Sequence, residues 1–280
     1  MIDTHELREQ QRQAWNKFSS GWKKWDEFFM AFFRPIGEKL IEVADLTDGY
    51  QVLDVSTGTG EPGLTAASHI PKEKVVGTDI AEDMIKLANL HAHERVIKNY
   101  EAIALNDERQ PFPDNSFGAV MCRFGIMYFP SMSEGIREMV RVLKPDHKIA
   151  LSAWADAAKN PWATTIRGVI NSMLSIPVPP PDAPTPFRCA KFGTLSKLFE
   201  DAGLKGVQEL EIKGQVAFNS PEHYWDVMTA AAPPLVQALS KANEIKRSQI
   251  QQAVFEAARK YESRGKIVFN WSSWVAVGVK

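Results

Sequence analysis

Asp54-Val55-Ser56-Thr57-Gly58-Thr59-Gly60 follows the apolar pair Val52-Leu53, and a second acid, Asp79, closes the next apolar run, Val75-Val76-Gly77-Thr78. Short apolar runs separated by a glycine loop and a helical stretch specify parallel strands joined by a crossover helix, because a tight turn cannot connect parallel neighbours. Gly58 and Gly60 lack a Cβ, so the loop can turn sharply and lay its amides against a ligand. Glu61-Pro62 is expected to open a helix with proline in its first turn, where the missing N–H does no harm. Strand signals at 51–55, 75–79, 101–106, 119–124, 149–154, 207–218 and 267–279 alternate with helical stretches at 81–94, 131–143 and 194–202. The expected fold is α/β, a doubly wound, mostly parallel seven-stranded sheet.

The two acids narrow what the loop can hold. Gly58-x-Gly60-x-x-Gly63 also fits the dinucleotide fingerprint, which seats a pyrophosphate on a helix N-terminus. A carboxylate at Asp54 would repel a pyrophosphate but can hold an ammonium, directly or through water. Asp79 can accept both hydroxyls of a ribose, with Ile80 and Met84 covering an adenine face; its plainer use is to cap the helix beginning near Ala81. An ammonium at one end and a ribose at the other describe S-adenosylmethionine.

Val52-Leu53-Asp54-Val55-Ser56-Thr57-Gly58-Thr59-Gly60, Val76-Gly77-Thr78-Asp79, Pro111-Phe112-Pro113-Asp114-Asn115-Ser116-Phe117 and Arg141-Val142-Leu143-Lys144-Pro145 occur in that order. With them the chain resembles the class I S-adenosylmethionine-dependent methyltransferases of the type 11 group, which includes ubiquinone and menaquinone biosynthesis methyltransferases. The likeness is strong over 50–154. It implies a Rossmann-like methyltransferase fold whose final strand enters antiparallel, with Ser56 and Thr57 in the cofactor loop and Arg123 and Phe124 at the methionine end. Ser56 stands where the family usually has glycine, so it must keep a negative φ or accept strain. Asn106, followed by Asp107, stands where the family usually has an aspartate facing the adenine amino group; the Asn106 carbonyl can accept that hydrogen bond, with Asp107 as the fallback.

The remainder of the chain supplies the surroundings. Residues 1–45 are expected to form an N-terminal helical lid and 46–280 the cofactor-binding domain, with insertions at about 155–193 and 220–265 as a substrate cap. Trp15, Phe18, Trp22, Trp25, Phe29 and Phe32 recur at helical spacing on one face, although Ser19-Ser20-Gly21 is expected to weaken that helix. The stripe can close over a site or serve as core packing or a homodimer contact. Phe18, Trp22, Trp25, Met127, Tyr128 and Trp154 are the candidate substrate walls. Pro177-Val178-Pro179-Pro180-Pro181 is expected to run as a stiff connector. His69, His91, His93 and His147 are expected to be solvated, which leaves His223 and Tyr224 as weak acid/base candidates with helix-end packing as their alternative.

A formal net charge of -1 over 280 residues gives no general attraction to nucleic acid or anionic membrane, so the expected partner is a small-molecule methyl acceptor. The start of the chain reads as polar with no apolar signal region, and the aromatic cluster 28–33 is too short to span a bilayer. Cys122 and Cys189 form neither a disulfide framework nor a metal cluster, so a cytosolic setting without a metal is expected. The expected activity is in-line methyl transfer to a nitrogen, oxygen or carbon nucleophile. A non-catalytic S-adenosylmethionine-binding protein and a nicotinamide-dependent oxidoreductase are the alternatives.

Overall fold

The computed structural model describes residues 4–46, 48–105, 111–177, 179–180 and 182–280. Two helices, α1 (Thr4–Lys24) and α2 (Asp26–Ala44), precede β1 (Val52–Val55), α3 (Gly63–His69), β2 (Val75–Asp79), α4 (Glu82–Glu94) and β3 (Tyr100–Ala104). The chain continues through β4 (Phe117–Arg123), α5 (Met132–Val142), β5 (Leu143–Trp154), α6 (Pro161–Leu174), α7 (Thr194–Asp201) and β6 (Lys205–Phe218). It ends with α8 (Pro221–Ala231), α9 (Pro233–Leu239), α10 (Glu244–Arg259), the two-residue β7 (Glu262–Ser263) and β8 (Lys266–Val279).

The strands lie in the order β3-β2-β1-β4-β5-β8-β6, with β7 paired to β8 off this path. The pairs β1–β2, β1–β4, β2–β3 and β4–β5 are parallel, while β8 runs antiparallel to both β5 and β6. Seven strands therefore form the expected sheet, and β7 adds a short eighth. Every residue of β1 and β2 is buried, as strands covered by helices on both faces require. The order reverses direction between β1 and β4, and the crevice beyond their carboxyl ends is where an open α/β sheet binds ligands.

Several boundaries move for local reasons. β5 begins at Leu143, immediately after α5, because Phe117 pairs with Leu143 before the register shifts toward Ala119. Ser131 caps α5 by accepting from Glu134 N–H. Pro62 precedes α3 as its N-cap, after a cis Glu61–Pro62 bond, instead of lying in its first turn. Within the proline-rich connector, Val178 and Pro181 lie outside the described residues.

The N-terminal helices cover the sheet's ligand-binding end. α2 buries Phe29, Phe32, Phe33, Ile36, Leu40 and Ile41 against the core; Ile36 and Leu40, wholly buried, are worth about 1.5–3 kcal/mol each by burial alone. α1 runs unbroken through Ser19-Ser20-Gly21 and yields only at Trp25, where α2 starts. Gly21 is there for close packing, since a Cβ at that position would come within 2.0 Å of the Ala230 carbonyl oxygen on α8. A backbone carbonyl held in a helix cannot give way as a flexible side chain can. Gly21→Ala should therefore cost about 1–3 kcal/mol, read as a lower urea midpoint at constant slope; an unchanged midpoint would show that α1 and α8 do not approach so closely.

Candidate active site

The loop after β1 is shaped from beneath by Asp54. Its carboxylate is wholly buried, and Oδ2 accepts from the Thr57 hydroxyl at 2.6 Å and from Gly63 N–H at 2.9 Å. Thr57 Oγ1 also lies 2.9 Å from the Tyr100 hydroxyl. With the threonine proton on Asp54, the tyrosine donates to Thr57. Asp54 thus ties both ends of the turn to the floor of the sheet. It is not among the residues that line the adjoining cavity, and what the structure gives it is control of loop shape. Its Oδ1 is buried without a hydrogen-bond partner. Burial raises the carboxyl from 3.8 to about 7, opposed by the Thr57 hydrogen bond, the Arg123 charge and the Gly63 amide.

Above this floor the backbone takes conformations that favour glycine. Gly58 and Gly60 have φ of 58° and 111°, and so does Ser56, at 54°. The strained alternative for Ser56 is the one realised, at a cost on the order of 1–3 kcal/mol. Phe124, at the end of β4, has φ 61° and stacks on Trp154 at 4.1 Å between ring centroids. Two side-chain-bearing residues in left-handed backbone flank the same crevice, a concentration of strain characteristic of binding sites.

Asp79 stands across that crevice at the tip of β2. Oδ2 accepts from Gly58 N–H at 3.0 Å and Oδ1 from Ala81 N–H at 2.9 Å. The capping role and the ligand-facing role coexist, because an ionised carboxylate has about four acceptor sites and two are used here. The residue is 8% exposed, and burial raises its pKa against the pull of the backbone N–H groups. Ile80 and Met84 line the cavity beside it, so an acceptor pair for a ribose diol adjoins an apolar wall for an adenine. These features fit S-adenosylmethionine. Asn106 and Asp107 lie outside the described residues.

The cavity, about 220 Å³, runs without interruption from Ser56, Thr57, Gly58 and Asp79 into an aromatic chamber. Arg123, Phe124, Met127, Tyr128 and Trp154 line it, as does Trp22 from α1. Gly60 is not among the lining residues; its role is to carry the turn. Phe18 and Trp25 also miss the cavity: Trp25 faces His223, with ring centroids 5.0 Å apart. Trp15, Trp22 and Phe29 of the expected stripe line the cavity, with Trp22 stacked on Phe29 across the break at Trp25. Arg123 is part-buried with its guanidinium 5.4 Å from the Phe33 ring centre; desolvation lowers its pKa, while Glu61, Asp54 and Asp26 support its charge.

The acid/base candidates are removed from this chamber. Tyr224 is wholly buried, donating to the Trp162 carbonyl at 2.6 Å and accepting from Ile166 N–H at 3.2 Å, and burial raises its pKa far above the ordinary range. His223 accepts from Asn219 N–H at 3.0 Å through Nδ1, packs against Phe28 and Phe218, and has its pKa lowered by burial. Both serve packing at the start of α8. Nor is His91 solvated: Nδ1 lies 2.9 Å from the Thr59 carbonyl and Nε2 3.8 Å from Asp26, joining α4, the loop and α2.

Gln11, Trp15, Phe33, Trp162 and Arg167 are cavity residues not named among the expected walls. Helical spacing marked Trp15, but Trp162 and Arg167 belong to an insertion whose direction only the folded chain reveals. Gln11 donates to the Tyr128 carbonyl at 2.7 Å, while Arg12 and Asn16 reach Glu82 at 3.0 Å and 2.7 Å, so α1 straps both ends of the site.

Comparison with known proteins agrees with this geometry. Residues 52–146 match a family described as a methyltransferase domain. Demethylmenaquinone methyltransferase of Listeria welshimeri is 40% identical over 103 residues, covering 36% of this chain and 44% of that protein. The chain thus spans less than half of that relative. Nocamycin O-methyltransferase of Saccharothrix syringae is 28% identical over 244 residues, covering 77% of this chain and 87% of that protein. The crystal structure of YcgJ from Bacillus subtilis superposes with a TM-score of 0.58 at 21% identity, over 87% of this chain and 97% of that one, which shows the fold. The fold is the Rossmann-like methyltransferase fold. Among the described residues no helix is long and apolar enough to cross a membrane.

Asp54 supplies a pH test. An acid whose folded pKa lies above its unfolded value keeps protons in the native state that the unfolded chain has lost, so stability falls as pH rises between the two values. The free protein should lose stability between about 3.8 and about 7 from this group. Asp54→Asn, which keeps an acceptor for Gly63 N–H, should flatten that slope in urea midpoints measured across the window; an unaltered slope would place the buried proton elsewhere.

Proposed function

We propose that this chain transfers a methyl group from S-adenosylmethionine to a nitrogen, oxygen or carbon nucleophile of a small organic molecule, in the cytosol. The observation that carries the reading is the continuity of the cavity, which joins the Asp79 side to an aromatic chamber without an intervening wall. Bound there, the cofactor supplies a methyl group already activated by a sulfonium. Asp79 would accept the ribose hydroxyls, Ile80 and Met84 would cover the adenine, and the Gly58 region would lie against the rest of the molecule. Asp54 would act through the loop, setting the amides that meet the amino-acid end.

The chamber would contribute orientation and dryness. Holding a nucleophile in line with the methyl converts a bimolecular encounter into an effectively unimolecular one, worth several kcal/mol of barrier. Trp22, Phe33 and Trp154 would exclude water, and their faces favour a cationic sulfur. Tyr128 is the phenol on the cavity wall; burial pushes it up to about 12, so at neutral pH it donates a hydrogen bond and does not serve as a base. Among the described residues no histidine lines the cavity, which favours acceptors that are nucleophilic without assistance.

Residues 1–45 would be the lid, 46–280 the methyltransferase unit, and the two insertions the acceptor cap. Contacts from α1 to Glu82 on the cofactor side and to Tyr128 on the acceptor side support this division. Two relatives named for demethylmenaquinone and nocamycin support a small organic acceptor.

Asp79→Asn should weaken calorimetric binding of S-adenosylhomocysteine by about 1.5–3 kcal/mol, the value of a hydrogen bond to a charged group; unchanged affinity in a folded variant would refute the ribose role. Turnover across an amine, phenol and quinone panel, followed as S-adenosylhomocysteine release, separates an enzyme from a cofactor-binding protein. Trp22→Ala should lower turnover several-fold more than Trp25→Ala, which should mainly lower the melting temperature, since only Trp22 reaches the cavity; equal effects on turnover would remove Trp22 from the site.

A further inference from the structure

Among the described residues three charged ones line the cavity: Asp79, Arg123 and Arg167. The first two belong to the cofactor end. Arg167 comes from α6, in the first insertion, and lines the cavity that Trp162, Val227, Met228 and Leu235 also line. The two arginines differ in their surroundings. Arg123 sits in the field of Asp54, Glu61 and Asp26, whereas among the described residues the electrostatic neighbour of Arg167 is the Tyr128 phenol.

Among the described residues Arg167 makes no hydrogen bond or ion pair. Its one contact of this kind is with the Phe187 ring, 5.9 Å from the guanidinium carbon, at the outer limit of a cation–π interaction. A guanidinium carries five donors in a rigid fork, and here no described residue takes any of them, which leaves the fork open to the acceptors of a ligand. The Tyr128 hydroxyl, on the same cavity, likewise makes no hydrogen bond to a described residue. One permanent cation and one neutral donor therefore face an otherwise apolar chamber.

We infer that the methyl acceptor is an apolar molecule bearing a carboxylate-class anionic oxygen group, seated on the Arg167 guanidinium with the Tyr128 hydroxyl as a second donor. This rests on the reading that the aromatic chamber takes the acceptor. The planar fork matches a carboxylate in two parallel hydrogen bonds, which fixes orientation as well as position. Charge balance points the same way. A sulfonium donor and Arg167 bring positive charge to one enclosed space, and an anionic acceptor offsets it while its ring or chain lies on Trp162 and Met228.

The test compares 4-phenylbenzoate with 4-phenylbenzamide, which share shape and differ in charge, by calorimetric titration with and without S-adenosylhomocysteine. The native protein should bind the carboxylate about tenfold or more tightly than the amide, as a charge-assisted pair inside an apolar cavity requires. Arg167→Gln should abolish that preference while leaving amide and S-adenosylhomocysteine affinities unchanged, and Arg167→Lys should retain part of it, because one charge remains without the fork. Equal affinity for the two probes in the native protein, a preference that survives in folded Arg167→Gln, or no binding of either probe at millimolar concentration would overturn the inference. Failure of S-adenosylhomocysteine to bind would instead overturn the cofactor reading, and the titration without it still measures the carboxylate preference.

Discussion

The hydrogen bonds from Thr57 and Gly63 to the buried Asp54 carboxylate are the constraint on which the site depends. They pull the loop's two limbs onto the end of β1, which brings Gly58 N–H to Asp79 and leaves Ser56 in left-handed backbone. A carboxylate so placed is expensive, because burial disfavours its charge and Oδ1 has no partner. Hydrogen bonds to the other oxygen and the nearby Arg123 charge offset part of that cost. The outcome is a loop whose geometry is set before any ligand arrives, which reduces the ordering cost of binding.

Around this rigid loop the chain builds a chamber from elements far apart in sequence. α1 and α2 bring Trp22, Phe29 and Phe33, β4 and β5 bring Phe124 and Trp154, and α6 brings Trp162 and Arg167. Stacked pairs, Trp22 on Phe29 at 4.4 Å and Phe124 on Trp154 at 4.1 Å, hold these walls in fixed relation. Because α1 bonds Glu82 at one end and the Tyr128 carbonyl at the other, its position couples the cofactor side to the acceptor side. Packing of Gly21 against α8 and of Trp22 on Phe29 holds α1 in addition to these polar bonds.

The sheet and its ligand-binding edge were legible because their code is local. Val52–Val55 and Val75–Asp79 are short apolar runs ending in acids, and burial on both faces leaves them little freedom to be anything else. Asp79, Ile80 and Met84 could be read from their place after β2. Asp54 was legible as an acid of the loop, but its direction was not: a one-step difference along a strand decides whether a side chain faces ligand or core. Gly21 looked like a helix breaker, yet it answers to the Ala230 carbonyl more than two hundred positions away. His223 and Tyr224 stood near the expected cap in sequence, and the turn into α8 carries them to its packed side.

By itself the amino-acid order determined the strand sequence, the glycine loop and the two acids, since hydrophobic periodicity and turn chemistry act over a few neighbouring residues. Tertiary structure alone decided that Asp54 braces where Asp79 faces the cavity, that Trp22 reaches the chamber while Trp25 does not, and that Arg167 lines the cavity beside the Tyr128 phenol. Those outcomes depend on the path of the insertions and on which faces of α1 they and the sheet cover. They arise from packing between segments whose mutual position no local pattern encodes.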